Sequence, residues 1–339
     1  MAEASRKAPA PAAAATPPFF IVGCGRSGTT LLRHMLNAHP DLAVPGESLC
    51  LIDYLRAERR VSLAEAARLL LREQELEEWG IRFTAGEIEG QAGFAEVFAF
   101  LHRRFAEKQG KPRWGNKTPR FVRYGDLLKR AFPGARFVHV VRDPRAVANS
   151  LVRSVVHRST PLHAARRWVR DTGAGRGLAR RYPGDCLEVR YEDLVASPEE
   201  VLRSVCGFID VPFSDRMFSY RGHAEESGSA YHGGIHARLR QPADRSRAEA
   251  WKTELSARAV ALVECEAGPL MDELGYPREA GDCPAGGTYR LALRCRRLFV
   301  DLPLQLAHYR KGRGRLLVHS IRRKRRLGLL RQDLHEIHR

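Results

Sequence analysis

The chain has 339 residues, a formal net charge of +18 and 44% hydrophobic residues, room for one large α/β domain with a full core plus appendages. Residues 290–339 carry fifteen Lys/Arg against three Asp/Glu, or +12, which leaves only +6 for the other 289 residues; the main body is mildly basic, as suits a binder of a multiply charged anion. The seven cysteines form no Cys-x-x-Cys pair, the histidines show no His-Glu-x-x-His spacing, and no run of about 18 apolar residues occurs, which argues against zinc modules, a disulfide framework and a membrane-spanning helix.

Residues 1–18 are Ala/Pro-rich, lack a signal-peptide core and read as a disordered leader. The first element is Phe19-Phe20-Ile21-Val22, an apolar run short enough for a buried strand. The chain then passes through Gly23-Cys24-Gly25-Arg26-Ser27-Gly28-Thr29-Thr30 and continues with Leu31, Leu32, Met35 and Leu36 at helical spacing. Strand, glycine loop and helix together aim free backbone N–H groups and the positive end of a helix dipole at an anion. Glycines let the backbone approach closely, while Ser27, Thr29 and Thr30 add hydroxyls and Arg26 a permanent charge. The spacing nearly fits the ATP-binding loop Gly-x4-Gly-Lys-Ser/Thr, but the lysine position holds Thr29, which argues against cleavage of a nucleoside triphosphate.

Gly-Cys-Gly-Arg-Ser-Gly-Thr-Thr-Leu-Leu resembles the 5′-phosphosulfate loop of sulfotransferases that use 3′-phosphoadenosine 5′-phosphosulfate (PAPS). The continuation from Arg33 to Pro40, with Gly46-Glu47, looks most like the tyrosylprotein sulfotransferase branch. The resemblance implies a P-loop-type three-layer sandwich, a central and mostly parallel sheet flanked by helices. It assigns donor contacts to Gly25, Arg26, Ser27, Gly28, Thr29 and Thr30.

After the first helix, His39-Pro40 stops the chain and Val44-Pro45-Gly46-Glu47-Ser48 makes a turn before a helix marked by Leu49, Leu51, Ile52, Tyr54 and Leu55. A carboxylate in that place ordinarily caps the helix or is solvated; the resemblance makes Glu47 the general base for the acceptor's proton. Residues 62–109 carry two apolar helical faces, Leu63 to Leu71 and Phe94 to Phe105, which read as packing. Arg113-Trp114-Gly115-Asn116-Lys117-Thr118-Pro119 is similar to the family's Asn-Lys-x-Pro segment, which follows a strand, and implies that Lys117 sits near the sulfuryl oxygens.

Arg136 to Arg142 is the second clear strand, and Asp143-Pro144 opens a helix with a good N-cap and a proline at its first position. Ligands of open α/β sheets collect at the carboxyl ends of strands, which places Arg142 well. Val-Val-Arg-Asp-Pro-Arg-Ala-Val-Ala-Asn-Ser resembles the family's 3′-phosphate motif, with Arg142 and Ser150 as its contacts. His139 reads as a satisfied core histidine. Residues 160–181 form an Arg-rich helix around Trp168, 186–194 give a further strand, and Ser197-Pro198-Glu199-Glu200 opens a helix with a start like a capping box. In the resemblance Tyr191 lies by the adenine. The polar stretch 222–252 is long enough to be a functional loop, and the resemblance gives Ser246, Arg247 and Lys252 late nucleotide contacts. Ser256 caps a last helix, and the domain closes at Leu274-Gly275-Tyr276-Pro277.

The chain thus divides into the leader 1–18, a catalytic domain 19–277, and a basic, partly helical extension 278–339. Within the extension, Arg322 to Arg326 lie beside Leu317, Ile321, Leu330, Leu334 and Ile337. This pattern suits either an anionic membrane surface or a solvated charge run, and its few aromatics argue against nucleic acid. The expectation is a PAPS-dependent sulfotransferase with Glu47, Arg26 and Lys117 as catalytic residues and no metal. Its acceptor is a hydroxyl of a carbohydrate, glycolipid or small molecule rather than peptide tyrosine. The default address is cytoplasmic, peripheral at the inner face of the membrane. The rivals are a nucleotide kinase or NTPase, and an adaptor that acts through the tail.

Overall fold

The computed structural model describes residues 16–154, 159–220, 246–280 and 295–330. The leader up to residue 15, most of the 222–252 loop, Cys283, Leu334 and Ile337 lie outside the described residues.

Five parallel strands form one sheet in the order β2-β3-β1-β4-β5: β1 Phe19–Gly23, β2 Leu42–Ala43, β3 Arg113–Lys117, β4 Arg136–Val141 and β5 Cys186–Arg190. β1 is apolar throughout because both of its faces are covered. Phe20 and Val22 pack on one side with Tyr54, Phe98 and Phe121, while Phe19 and Ile21 pack on the other with Leu32, Leu36 and Leu202. A third cluster around Cys24, Val147, Trp168 and Met271 extends the core beyond the strand ends.

The helices on the Phe20 side include α2 (Leu49–Arg56), and those on the Phe19 side include α1 (Thr29–Asn37). The stretch 62–109 is four helices, α3 Leu63–Leu70, α4 Gln74–Glu78, α5 Ala85–Glu89 and α6 Phe94–Lys108. Gly80 at φ 60° and the Gly90 and Gly93 boundaries divide the apolar faces. After β3 come α7 (Gly125–Ala131), α8 (Pro144–Val152), α9 (Pro161–Arg181), α10 (Tyr191–Ala196) and α11 (Pro198–Phe208). α12 (Ser246–Glu249), α13 (Trp251–Glu254), α14 (Ala257–Glu273) and α15 (Leu302–Arg326) complete the described α-helices.

Five expectations change, the first being that the strand read over 186–194 stops at Arg190 and gives way to α10 at Tyr191. Ser197 makes no side-chain cap at α11; its N–H instead bonds the Asp193 carbonyl at 2.7 Å and finishes α10. Asn116 and Lys117 do not follow β3 but end it. His139 is buried, with no hydrogen bond to either ring nitrogen among the described residues and a Glu188 oxygen 3.6 Å from Nδ1. Cys265 is disulfide-bonded, whereas Cys24, Cys50, Cys186, Cys206 and Cys295 are free. Spacing along the chain could not show a pairing made in space. Among the described residues no helix is long and apolar enough to cross a membrane.

Candidate active site

The carboxyl ends of three adjacent strands, β3, β1 and β4, deliver the three groups of interest side by side. In the middle, β1 ends at Gly23 (φ 140°), where a side chain would put its Cβ 2.4 Å from the Val140 carbonyl oxygen of the neighbouring strand. The loop then closes through Ser27 N–H to Cys24 O at 3.2 Å, with Arg26 at φ 78° and Gly28 at φ 97°. Left-handed backbone turns the chain straight from strand into α1, whose first N–H groups have no intrahelical partner. A Cβ at Gly28 would stand 2.3 Å from the Tyr191 ring, and one at Gly25 2.6 Å from the Arg167 guanidinium. The Ser27 hydroxyl is fully buried and has no hydrogen-bond partner among the described residues. Thr29 is buried and Thr30 half-buried.

On the β3 side, Lys117 Nζ lies 2.8 Å from Glu47 Oε1. Two flanking bonds set the pair: Asn116 Nδ2 donates to Ser48 Oγ at 2.8 Å, and Ser48 N–H donates to Thr118 Oγ1 at 3.0 Å. Asn116 Nδ2 also meets His102 Nε2 at 2.9 Å, and His102 Nδ1 lies 2.8 Å from Phe98 O. His102 is therefore a neutral imidazole that donates from Nδ1 and accepts at Nε2; burial holds its pKa down at about 3. Arg33, on the buried face of α1, donates from Nε to the carbonyls of Val44 and Pro45, both at 2.9 Å, and so fixes the turn before Glu47. Burial also lowers the pKa of Lys117, opposed by Glu47 and reinforced by Arg33 and Arg26. Glu47 is thus neither a helix cap nor a lone solvated charge.

On the β4 side, Arg142 follows the strand and is buried. Its guanidinium carbon sits 4.0 Å over the Tyr191 ring, Nη1 donates to the Arg26 carbonyl at 3.1 Å, and Nη2 donates to the Arg247 carbonyl at 2.7 Å. Its Nε has no partner among the described residues. Its own carbonyl accepts from Trp168 Nε1 at 2.8 Å. Asp143 caps α8 by accepting from Arg145 N–H at 2.7 Å, as expected. Arg26 Nε donates to Ser150 Oγ at 2.9 Å. Arg26 therefore meets the two residues read as 3′-phosphate contacts directly.

Tyr191 serves both sides of this pocket, stacked under Arg142 and wedged against Gly28. Lys252 is exposed, pairs with Glu249 at 2.9 Å, and is not seen in contact with Arg142 or Ser150. Of the three residues assigned from the polar loop, Arg247 touches Arg142, through its backbone. Sequence reasoning gave no role to Arg33, Ser48, Asn116, Thr118 or Trp168. Arg33 carried a legible signal, an arginine between Leu32 and Leu36 on the core-facing side of an amphipathic helix.

The family model described as "Sulfotransferase family" matches residues 17–215. The chain is 33% identical over 214 residues to the protein-tyrosine sulfotransferase of Drosophila melanogaster, covering 60% of this chain and 40% of that one. It is 31% identical over 226 residues to protein-tyrosine sulfotransferase 1 of Danio rerio, covering 65% and 59%. These two matches span about half of the relatives' lengths. Nodulation protein NoeE of Sinorhizobium fredii is 28% identical over 312 residues, covering 83% of this chain and 72% of that protein. The solved sulfotransferase domain from the curacin biosynthetic pathway superposes with a TM-score of 0.55 at 22% identity, over 78% of this chain and 99% of that one, and shares the fold.

Proposed function

The chain belongs to the sulfotransferase family, and on that premise we propose that it moves a sulfuryl group from PAPS to an acceptor hydroxyl. One observation carries the reading: the ends of β3, β1 and β4 hold a Lys–Glu pair, an anion-binding loop and a buried arginine in one row. A donor with phosphate at both its 5′ and 3′ positions requires two separate cationic places, which ATP does not. The residues fit such a molecule, because the Ser27 hydroxyl and the Arg142 Nε are buried polar groups without hydrogen bonds among the described residues. Glycine at 25 and 28 lets the loop pass close to Arg167 and Tyr191, since a Cβ at either position would overlap those side chains.

In this reading the N–H groups and hydroxyls of residues 25–30 hold the phosphosulfate, while Arg142 and Ser150 hold the 3′-phosphate. Arg26 bridges the two places, and Tyr191 walls the nucleotide. Glu47 takes the acceptor's proton as the acceptor oxygen–sulfur bond forms and the bond from sulfur to the 5′-phosphate oxygen breaks. Adenosine 3′,5′-bisphosphate leaves with the bonding electrons. Lys117 offers its ammonium to the charge that develops on the transferred group and leaving oxygen, where a buried cation acts strongly. Positioning and electrostatics carry the rate, as in phosphoryl transfer.

The acceptor in this reading is a carbohydrate, glycolipid or small molecule. Peptide tyrosine is the second reading, favoured by the names of the Drosophila and Danio relatives. The described end of the tail supports a membrane-surface role. Leu298, Phe299, Val300, Leu302 and Leu304 are exposed, as are Val318 and Ile321 beside Arg322 and Arg325. A groove of about 520 Å³ between α3 and the end of α15 brings Arg68, Arg72 and Arg326 next to Leu69 and Leu71. Such a mixture suits an anionic headgroup layer, which in cells is the cytoplasmic leaflet.

The test is calorimetry with adenosine 3′,5′-bisphosphate, AMP, and ATP with Mg²⁺, on wild type and Arg142→Ala. The expected result is binding that needs both phosphates and weakens about 10–100-fold in the variant, the range for a charge-assisted hydrogen bond. Indifference to the 3′-phosphate would overturn the reading. A panel of radiolabelled sulfate acceptors, sugars and lipids against tyrosine peptides, then separates the two acceptor readings.

A further inference from the structure

The basic tail contains one arginine that does not behave as a surface charge. Arg323, near the end of α15, is 6% exposed. Its Nε and Nη2 donate to Asp53 Oδ2 at 3.0 and 2.9 Å, and its Nη1 to Glu73 Oε2 at 2.9 Å. Asp53 lies on α2 and Glu73 just before α4, so one side chain joins two elements more than 240 positions earlier in sequence. His319, one turn before it, meets the same Glu73 oxygen at 3.1 Å.

The end of the helix fixes this docking. Gly328 adopts φ 67°, Gly328 N–H bonds Arg325 O at 3.2 Å, and Leu329 N–H bonds Lys324 O at 2.8 Å. This is a Schellman stop, in which a left-handed glycine satisfies the last carbonyls and reverses the chain. It sends Leu327 and Leu329, both fully buried, into the cluster that holds Tyr54, Leu55 and Phe20. Arg60 adds a bond to the Gly328 carbonyl at 3.1 Å.

The elements that Arg323 joins are bound to each other at the start of α2. Glu75 Oε2 accepts from Cys50 N–H at 2.8 Å, and Tyr54 OH donates to Glu73 Oε1 at 2.8 Å. Glu47 precedes α2 by two residues, follows the turn that Arg33 fixes, and pairs with Lys117. Asp53, Glu73 and Glu75 are three acids in one poorly solvated place. Arg56 stands 3.6 Å from Asp53, but Arg323 is the cation that touches both Asp53 and Glu73. Without it, like charges out of water would push α2 away from the 73–75 segment.

We infer that Arg323 is a positioning residue for the candidate base, and that the chain from about residue 318 to 329 belongs to the catalytic domain rather than to a dispensable extension. This rests on the sulfotransferase reading for the role of Glu47, but the docking itself does not. The tail neutralises the acids that hold α2, α2 holds Ser48, and Ser48 holds Glu47 opposite Lys117.

The test uses the full chain with Arg323→Met, read by amide hydrogen exchange at single-residue resolution and by calorimetry with adenosine 3′,5′-bisphosphate. Exchange at Ser48 and Cys50 is expected to speed up at least tenfold relative to β1 and β4, while nucleotide affinity stays within about twofold. Adding Asp53→Asn and Glu73→Gln to the variant removes the uncompensated charge and keeps the shape. Protection at Ser48 and Cys50 is expected to return in this triple variant. If Arg323→Met unfolds the chain, recovery of folding and of that protection in the triple variant decides in favour. Unchanged exchange at Ser48 and Cys50 in Arg323→Met overturns the inference, and so does a loss that the two amides fail to rescue. Failure of wild type to bind the nucleotide would instead reject the sulfotransferase reading and leave the exchange result to judge the docking.

Discussion

Lys117 Nζ lies 2.8 Å from Glu47 Oε1 across 70 positions of sequence, and on either side of the pair the single residue Ser48 accepts from Asn116 Nδ2 and donates its N–H to Thr118 Oγ1. The end of one strand therefore clamps the start of one helix.

Glu47→Gln keeps the size and one hydrogen bond to Lys117 but removes the base. Sulfuryl transfer is expected to fall about 10²–10⁴-fold, the usual contribution of a positioned general base, while adenosine 3′,5′-bisphosphate binds as before. Steady-state rates alongside calorimetry check both halves, and a variant that retains full turnover would remove Glu47 from the mechanism.

Gly28→Ala tests the anion loop. A side chain there must accept φ 97° and would meet the Tyr191 ring at 2.3 Å. The left-handed backbone and the clash together are expected to cost about 1–3 kcal/mol of stability. The wedged tyrosine also stacks on Arg142, so nucleotide affinity should drop with it. Denaturant melts and nucleotide titration measure the two losses; a stable variant with intact affinity contradicts the geometry.

Glu75 sets a pH dependence. Burial pushes its carboxyl from the usual 4.5 up to about 7, with the Glu73 charge adding to the rise. The folded chain thus keeps a proton that the unfolded chain has already released, so stability falls as pH rises from about 4.5 to 7 and is level above. Glu75→Gln still accepts the Cys50 N–H bond without a charge. It should match wild type near pH 4.5 and exceed it by roughly 1–3 kcal/mol above pH 7.5. Urea melts across that range would give parallel curves if the carboxyl titrates normally.

The exposed apolar residues at and just before the start of α15 predict binding to anionic vesicles. Phe299→Asp with Leu302→Asp should reduce cosedimentation with phosphatidylserine vesicles at least tenfold, and added salt should weaken wild-type binding. Neither residue belongs to the docked end of the helix, so thermal stability should change little. Equal cosedimentation of variant and wild type would reduce the tail to a solvated charge run.

The unbroken apolar run of β1, the glycine loop and the Asp143-Pro144 start of α8 were legible in the sequence, because each is decided by neighbours in the chain. An unbroken apolar run, a left-handed glycine and a cap are each written in adjacent residues. The family pattern added which charged residues to watch.

What the sequence could not decide is which charges meet. Glu47 reads as a cap or a solvated carboxylate until β3 is laid beside β1 and brings Lys117 to it. Arg26 and Ser150 become hydrogen-bonded only when the end of β4 stands next to the end of β1. Arg323 looks like one more member of a basic run, and only the docked helix buries it between Asp53 and Glu73. An ion pair depends on distance in space and on exclusion of water, and for residues 70 to 270 positions apart both are properties of the folded chain.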